Sequence, residues 1–214
     1  MNKRFLVLAG IVLLSSLSSG CAMMDKARRA DQLEKDLADC RSRLETVVEE
    51  KDSELERARK ELMRTLGKEL GEYKAKLEMT ERGLVITFLA EIFFDSGKDT
   101  ILADGRPVLH KVADVLNKNV PDSNVAIEGH TDTDPIKYSG WKSNWELSAA
   151  RALAVLHYFI DDGSVAPERL SIGGYGQYRS VAPNDTVQNK RKNRRVEIII
   201  LPPGLKKAKA EVEV

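Results

Sequence analysis

Two side chains of opposite charge, Asp132 and Arg151, are the residues best placed to do chemistry. Asp132 ends the run G-H-T-D at residues 129–132, and Arg151 lies about two turns into the apolar segment 147–160. In a buried helix, both the positive N-terminal end and the apolar surroundings disfavour a permanent cation. Arg151 therefore needs a fixed anionic partner or an anionic ligand, and Asp132 is a predicted neighbour.

The elements around these residues alternate between strands and helices. Segment 147–160 is apolar on nearly every face, and Ser143 with Glu146 forms an S-x-x-E capping box that predicts where this helix begins. The other predicted elements are a strand at 84–94 with a break near Glu91, a helix at 103–117, strands at 124–128, 170–172 and 196–201, and a loop at 173–186. This alternation predicts an α+β fold, a two-layer α/β sandwich in which helices cover one side of a mixed β-sheet in the order βαβαβ-β.

Several motifs follow G-H-T-D in a fixed order. They are N-x-x-L-S-x-x-R-A at 144–152, G-Y-G at 174–176, N-D-T at 184–186 and N-R-R-V-E-I at 193–198. Together they resemble the OmpA-like peptidoglycan-binding domain family over roughly residues 83–201, about half of the chain. Any one of these motifs alone is weak, but their number and order make the resemblance specific.

The resemblance implies a ligand and a set of residues that bind it. In that family the ligand is the diaminopimelate side chain of peptidoglycan, whose free end carries an ammonium and a carboxylate on one carbon. Asp132 matches the aspartate that takes the ammonium, and Arg151 matches the arginine that takes the carboxylate with its planar fork. Asn144 matches the asparagine at the helix start, and Thr131 and Thr133 flank the aspartate in the binding loop. Without the resemblance, an internal salt bridge between Asp132 and Arg151 is an equal alternative.

The loop between the aspartate and the helix departs from the usual family pattern. Residues 133–143 form a longer segment than in a typical member. The longer loop, with Pro135, Trp141 and the sequence N-W-E-L-S, is similar to that of the flagellar stator protein MotB and its relatives. Loop length therefore bears on the shape of the pocket and leaves both charged residues in place.

Residues 1–20 have the pattern of a lipoprotein signal peptide. A basic start is followed by a short apolar run at 5–14 and by small residues up to Gly20. Small residues directly before Cys21 resemble a bacterial lipobox, which implies a lipid on Cys21 after cleavage. Ala22, where an aspartate would favour retention at the inner membrane, implies transport to the outer membrane. An ordinary cleaved signal that contains a cysteine is the alternative.

Residues 21–82 are predicted to form a helical, coiled-coil-like stalk. Within 25–82 there are 15 Lys and Arg and 16 Asp and Glu, no proline, and apolar residues at heptad-like spacings with shifts of phase. So charged a helix is not expected to pack against a globular core, and a lone solvated helix or a disordered segment are the alternatives. Cys40 either forms a disulfide with a second chain, which would give a homo-oligomer, or fills a small position in a helix seam.

Residues 83–203 are the predicted OmpA-like domain, and residues 204–214 are a predicted disordered tail. The formal net charge of +1 gives no argument for nucleic acid. The basic run at 190–195 permits a nucleic-acid reading, but the export signal argues against it.

Enzymatic readings of the sequence are weak. His130, Asp132 and Asp134 offer three metal ligands at alternate positions, but a catalytic zinc normally draws its ligands from separate elements. A serine hydrolase would need a nucleophile-elbow motif, which the sequence lacks. The sequence therefore predicts a protein without catalytic activity, metal or cofactor.

The predicted function is non-catalytic binding of peptidoglycan by a lipoprotein on the periplasmic face of the outer membrane, which tethers that membrane to the cell wall. The first alternative is a MotB-like component that docks a motor or secretion assembly against the wall. A cell-wall hydrolase is the third hypothesis, and it predicts release of soluble muropeptides.

Overall fold

The structure is a computed structural model, and it describes residues 3–72, 74–137 and 139–202, with side chains described at 24, 26–50 and from 53 onward within those ranges. The chain divides into two compact units, Met1–Glu50 and Lys51–Val214. The predicted signal sequence and Cys21 lie outside the residues whose side chains are described, and so does the predicted tail at 204–214.

Helix α1 spans Lys3–Thr65, so the predicted helical stalk is present. The described side chains of the first unit are all exposed, and ion pairs one turn apart, such as Arg41–Glu45 and Arg43–Asp39, lie on the helix surface. Pairs of this kind support a helix by a few tenths of a kcal/mol. Cys40 is a free, exposed thiol. Pairing between two chains through this helix stays a prediction.

The second unit contains a five-stranded mixed sheet in the order β1-β2-β5-β3-β4, in which β3 and β4 are parallel and the other neighbours antiparallel. The strands are β1 (Ala75–Thr80), β2 (Gly83–Leu89), β3 (Val125–His130), β4 (Leu170–Gly174) and β5 (Arg195–Ile200). The helices after α1 are α2 (Gly67–Gly71), α3 (Arg106–Lys118), α4 (Asn144–Asp161) and α5 (Val187–Asn193), with 3-10 turns at Ala90–Ile92, Ala103–Gly105 and Pro167–Arg169. The predicted α+β class with a mixed sheet is confirmed.

The core lies between one face of this sheet and the helices. Alternate residues of each strand face it, as the pleat requires. The largest buried contributors are Ile86 and Phe88 of β2, Ile198 of β5, Ile127 of β3, Leu109 and Leu116 of α3, and Phe159 of α4. Helix α4 begins as predicted, because Ser143 Oγ accepts the backbone N–H of Glu146 at 3.3 Å.

The last part of α1 also packs into this core, contrary to the expectation for so charged a helix. Leu55 and Leu62 of α1, and Leu66 directly after it, are at most 2% exposed and belong to the same hydrophobic cluster as the sheet. They lie within the second unit, so the compact unit that contains the sheet begins at Lys51, whereas the sequence placed the domain boundary at residue 83. A single apolar stripe suffices for burial even when the rest of the helix is charged.

Two further elements were not predicted. Residues 75–80, assigned to the helical stalk, form the edge strand β1, whose partly buried Ala75 and Leu77 alternate with exposed lysine and glutamate. This alternation has the period of a strand, but the high charge made it look like a solvated helix. Helix α5 occupies part of the region after the predicted loop, where Thr186 Oγ1 caps it by accepting the backbone N–H of Asn189.

Candidate ligand-binding site

An open pocket of about 850 Å³ lies beside the end of β3 and the first turns of α4. The loop after β3 forms one wall, and residues 90–98, which follow β2, form another. The polar residues that face it include Thr131, Asp132, Asn144, Arg151 and Arg194. The fold therefore brings four of the five predicted binding residues to one pocket, while Thr133 is exposed and is not part of its lining.

Close packing between β3 and α4 holds the two charged residues in place. A Cβ atom on Gly129 would lie 2.0 Å from the carbonyl oxygen of Ser148, so only glycine lets the strand approach the helix this closely. Three residues after Gly129 comes Asp132, and three residues after Ser148 comes Arg151. The glycine of G-H-T-D thus sets the distance between strand and helix.

Asp132 is a buried carboxylate with two partners. Its Oδ1 accepts the backbone N–H of Asp134 at 3.0 Å, and its Oδ2 accepts a hydrogen bond from Nη1 of Arg194. The predicted neighbour, Arg151, does not form an ion pair with it among the described residues. The direct partner is instead Arg194, the first residue after α5, whose side chain is 36% exposed.

Arg151 is a buried cation whose hydrogen bonds go to backbone carbonyls. Its Nε donates to the oxygen of Lys98 at 2.9 Å, and its Nη2 donates to the oxygen of Asp95 at 3.0 Å. The guanidinium carbon also lies 5.2 Å from the centre of the Phe94 ring. Burial first, and then the charge of Arg194, lowers the pKa of Arg151 to about 10, so it remains charged at pH 7.

Asn144 and Thr131 hold the binding loop. The Nδ2 of Asn144 donates to the oxygen of Asp134 at 3.0 Å and to Oε1 of Gln177 at 2.9 Å. Thr131 donates from its backbone N–H to the oxygen of Gly176 at 2.9 Å and from its hydroxyl to the oxygen of Asp132. These bonds tie the loop to the start of α4 and to the G-Y-G segment. Both residues therefore position Asp132.

The three residues of the N-R-R motif at 193–195 lie in different surroundings and have different partners. Asn193 is fully buried, and its side-chain amide bonds the backbone of Val181 and Ala182, which fixes the loop before α5. Arg194 enters the pocket. Arg195 is 4% exposed, and its Nε donates to Glu197 Oε1 at 2.6 Å.

The long loop after Asp132 is fastened to the other wall of the pocket. Trp141 donates from Nε1 to the carbonyl oxygen of Gly97 at 2.9 Å, and Lys190 of α5 forms a 2.7 Å ion pair with Asp134. Trp145 stays outside the pocket, where it stacks on Tyr178 with ring centres 5.1 Å apart. The extra loop length therefore lines the pocket and does not seal it.

His130 is separated from the pocket. It is 2% exposed and stacks on Tyr175 with ring centres 5.4 Å apart. Burial, followed by the charges of Arg195 and Arg179, lowers its pKa to about 3, so the imidazole is neutral at pH 7. Within the described part of the chain, the donors that gather around His130 are Glu128 and Glu197, and not Asp132 and Asp134.

The five-stranded mixed sheet covered by helices, with a charged pocket between the β3 loop and α4, defines an OmpA-like α+β domain. Comparison with known protein families matches residues 93–194 to the OmpA family. The chain belongs to this family.

The relatives include proteins of motility and secretion systems. Motility protein B of Bacillus subtilis (strain 168) is 40% identical over 151 residues, which cover 71% of this chain and 58% of that protein. The cell wall anchor of the T6SS from Pseudomonas aeruginosa is similar in structure, with a TM-score of 0.61, 29% identity, and coverage of 67% of this chain and 99% of that one. The periplasmic domain of Helicobacter pylori MotB has a TM-score of 0.57 and 30% identity, over 61% of this chain and 83% of that one.

These similarities are limited in extent. The chain spans 58%, 52% and 48% of the length of the first three curated relatives.

In the part of the chain whose residues are described, no helix has the length and apolar character needed to cross a membrane.

Proposed function

We propose that the domain binds peptidoglycan without chemistry, by holding the free end of a diaminopimelate side chain between Asp132 and Arg151. The observation that carries this proposal is the state of Arg151. It is buried, charged, faces an open pocket, and within the described chain its hydrogen bonds go to neutral carbonyl oxygens. A buried cation without a direct carboxylate partner is a site for an anion.

The ammonium of the ligand would bind Asp132. In the unbound chain Arg194 neutralises this carboxylate. Since the Arg194 side chain is partly exposed, it can withdraw toward solvent when an ammonium takes its place, or share the carboxylate from the other side. Arg194 then stays near the incoming carboxylate group, where a second cation favours binding.

For the whole protein, this binding would serve to dock a larger assembly against the cell wall. The relatives named above are a motility protein and the cell wall anchor of a secretion system, which favours a component that docks a motor or secretion assembly against the wall over a general membrane tether. The exposed helix of the first unit would then connect the wall-bound domain to the rest of such an assembly.

The lipid on Cys21 and the outer membrane as location remain predictions within this proposal. Labelling cells with a clickable fatty acid tests the anchor directly, with Cys21→Ala as the matched control. Label on the wild type alone supports a lipoprotein, and absence of label from both chains contradicts the lipid anchor without touching the binding site.

Sedimentation with purified sacculi tests the binding site. We expect the wild type to pellet with sacculi and to release no soluble muropeptides. Asp132→Asn and Arg151→Gln should remain in the supernatant, because each removes one charge of the pair. Asp114→Asn on the exposed side of α3 and Arg41→Gln on α1 are matched controls that should pellet like the wild type. Pelleting by both site variants would refute the site, and muropeptide release would favour a hydrolase.

A further inference from the structure

The face of the sheet opposite the helices carries a buried polar cluster. Val125 and Ile127 of β3 face the core, so Glu128 and His130, which alternate with them, lie on the opposite face of the sheet. On the neighbouring strand β5, Glu197 is paired with Glu128 in the strand register. Glu128 is 5% exposed and His130 is 2% exposed, since Tyr175 covers the imidazole. The pocket that binds the proposed ligand does not include these three residues.

Three polar atoms of this cluster are buried without a hydrogen-bond partner from the described residues. They are Nδ1 and Nε2 of His130 and Oε2 of Glu128. Leaving such an atom unsatisfied is destabilising, and most buried polar groups in folded proteins are paired. Two of the three, Nε2 of His130 and Oε2 of Glu128, lie 3.9 Å apart and are good metal donors, so one bound cation would satisfy both.

The distances fit a small divalent ion. His130 Nε2 lies 3.9 Å from Glu128 Oε2 and 3.9 Å from Glu197 Oε1, and one donor atom from each of the three residues lies within 4.8 Å of the others. Donors that lie no more than 4.8 Å apart are within about 2.8 Å of a common centre, so small side-chain movements would bring them to the roughly 2.0–2.2 Å of zinc–nitrogen and zinc–oxygen bonds.

We propose that Glu128, His130 and Glu197 form a structural site for a divalent transition-metal ion of the zinc class. One imidazole and two carboxylates are a donor set that such ions accept. The ion would link β3 to β5 on the face opposite the core, so its effect is on stability. The proposal is independent of peptidoglycan binding, because the three residues lie outside that pocket.

Three arginines affect the affinity of this site. Arg82 bonds Oε1 of Glu128, which leaves Oε2 for the ion, and its side chain is 45% exposed, so it can move into solvent. The buried Arg195 donates from Nε to Oε1 of Glu197 at 2.6 Å, so an ion would share this oxygen with Arg195. The charges of Arg195, Arg179 and Arg82 all act on His130, and all three oppose a cation. Replacing Arg82, the arginine that can move into solvent, should therefore tighten metal binding. If Glu128 and Glu197 only formed ion pairs with the arginines, the same replacement would instead lower the stability of the chain.

The test uses the full chain in a Cys21→Ser, Cys40→Ser background, because a free cysteine thiol can itself bind zinc. Calorimetric titration with Zn²⁺ should give one saturable site per chain, and Zn²⁺ should raise Tm by several degrees. His130→Gln should abolish both effects, and His110→Gln, an exposed histidine on α3, should leave both unchanged. Arg82→Gln should bind Zn²⁺ about tenfold more tightly, since a repelling charge is gone.

If His130→Gln fails to fold, Glu197→Gln removes a different metal-binding side chain, and this variant should also abolish Zn²⁺ binding. Wild-type chain that shows no saturable Zn²⁺ binding overturns the proposal. So does binding that survives in Glu197→Gln, or an Arg82→Gln variant that binds no more tightly than the wild type.

Discussion

The pairing of Arg151 with a ligand carboxylate can be isolated with two ligands that differ in that group. A stem peptide with diaminopimelate carries the ammonium and the carboxylate, and its lysine counterpart carries only the ammonium. We expect the wild-type chain to prefer the diaminopimelate peptide and Arg151→Gln to lose this preference. Glutamine removes the cation but keeps an amide that can still donate to one of the two carbonyls that Arg151 bonds.

The size of the preference follows from the contacts of Arg151. Its Nε and Nη2 each donate to a backbone carbonyl, which leaves Nη1 and the second N–H of Nη2 to bind a ligand carboxylate. A hydrogen bond to a charged group contributes about 1.5–3 kcal/mol, which corresponds to roughly a 10- to 150-fold preference. In Arg151→Gln the ratio of the two dissociation constants should fall to within about threefold, because the neutral amide distinguishes the ligands only weakly.

The assay is isothermal titration of the full chain with each peptide, with circular dichroism to verify folding. Asp132→Asn is the informative control, because both ligands carry the ammonium. It should weaken both affinities and leave their ratio near the wild-type value. An Arg151→Gln variant that still discriminates as the wild type does would refute the assignment of the carboxylate to this guanidinium.

Two further predictions concern the scaffold that positions the site. Leu62→Ala should lower the free energy of unfolding by about 2–5 kcal/mol, because Leu62 is fully buried, while Leu37→Ala at a 71% exposed position of the same helix should change it by less than about 0.5 kcal/mol. Equal effects in urea denaturation would contradict burial of the end of α1. Gly129→Ala should cost about 1–3 kcal/mol or more and weaken peptide binding, whereas Gly71→Ala, which meets no atom within 4 Å, should leave binding unchanged. If Gly129→Ala binds the peptide normally, the close approach of β3 to α4 is not required for ligand binding.

The features of this protein that could be predicted from sequence are those that depend on short sequence patterns and on the order of those patterns along the chain. The capping box at Ser143 and Glu146 and the apolar run after it located α4. The order of the family motifs identified Asp132 and Arg151 as residues of one pocket. Such features depend on local hydrogen bonding, on the period of apolar residues, or on a pattern read along the chain, and none of them requires knowledge of which segments meet in space.

The parts that only the tertiary structure decided depend on contacts between distant segments. Arg194 pairs with Asp132 across 62 positions of sequence, and which of two adjacent arginines enters the pocket depends on where α5 ends and β5 begins. The burial of the end of α1 and the gathering of Glu128, His130 and Glu197 depend on the same long-range packing. Charge and polarity in a sequence describe each side chain alone, whereas its partners are determined by strand register and by which helix faces meet, and these are set only when the chain is folded.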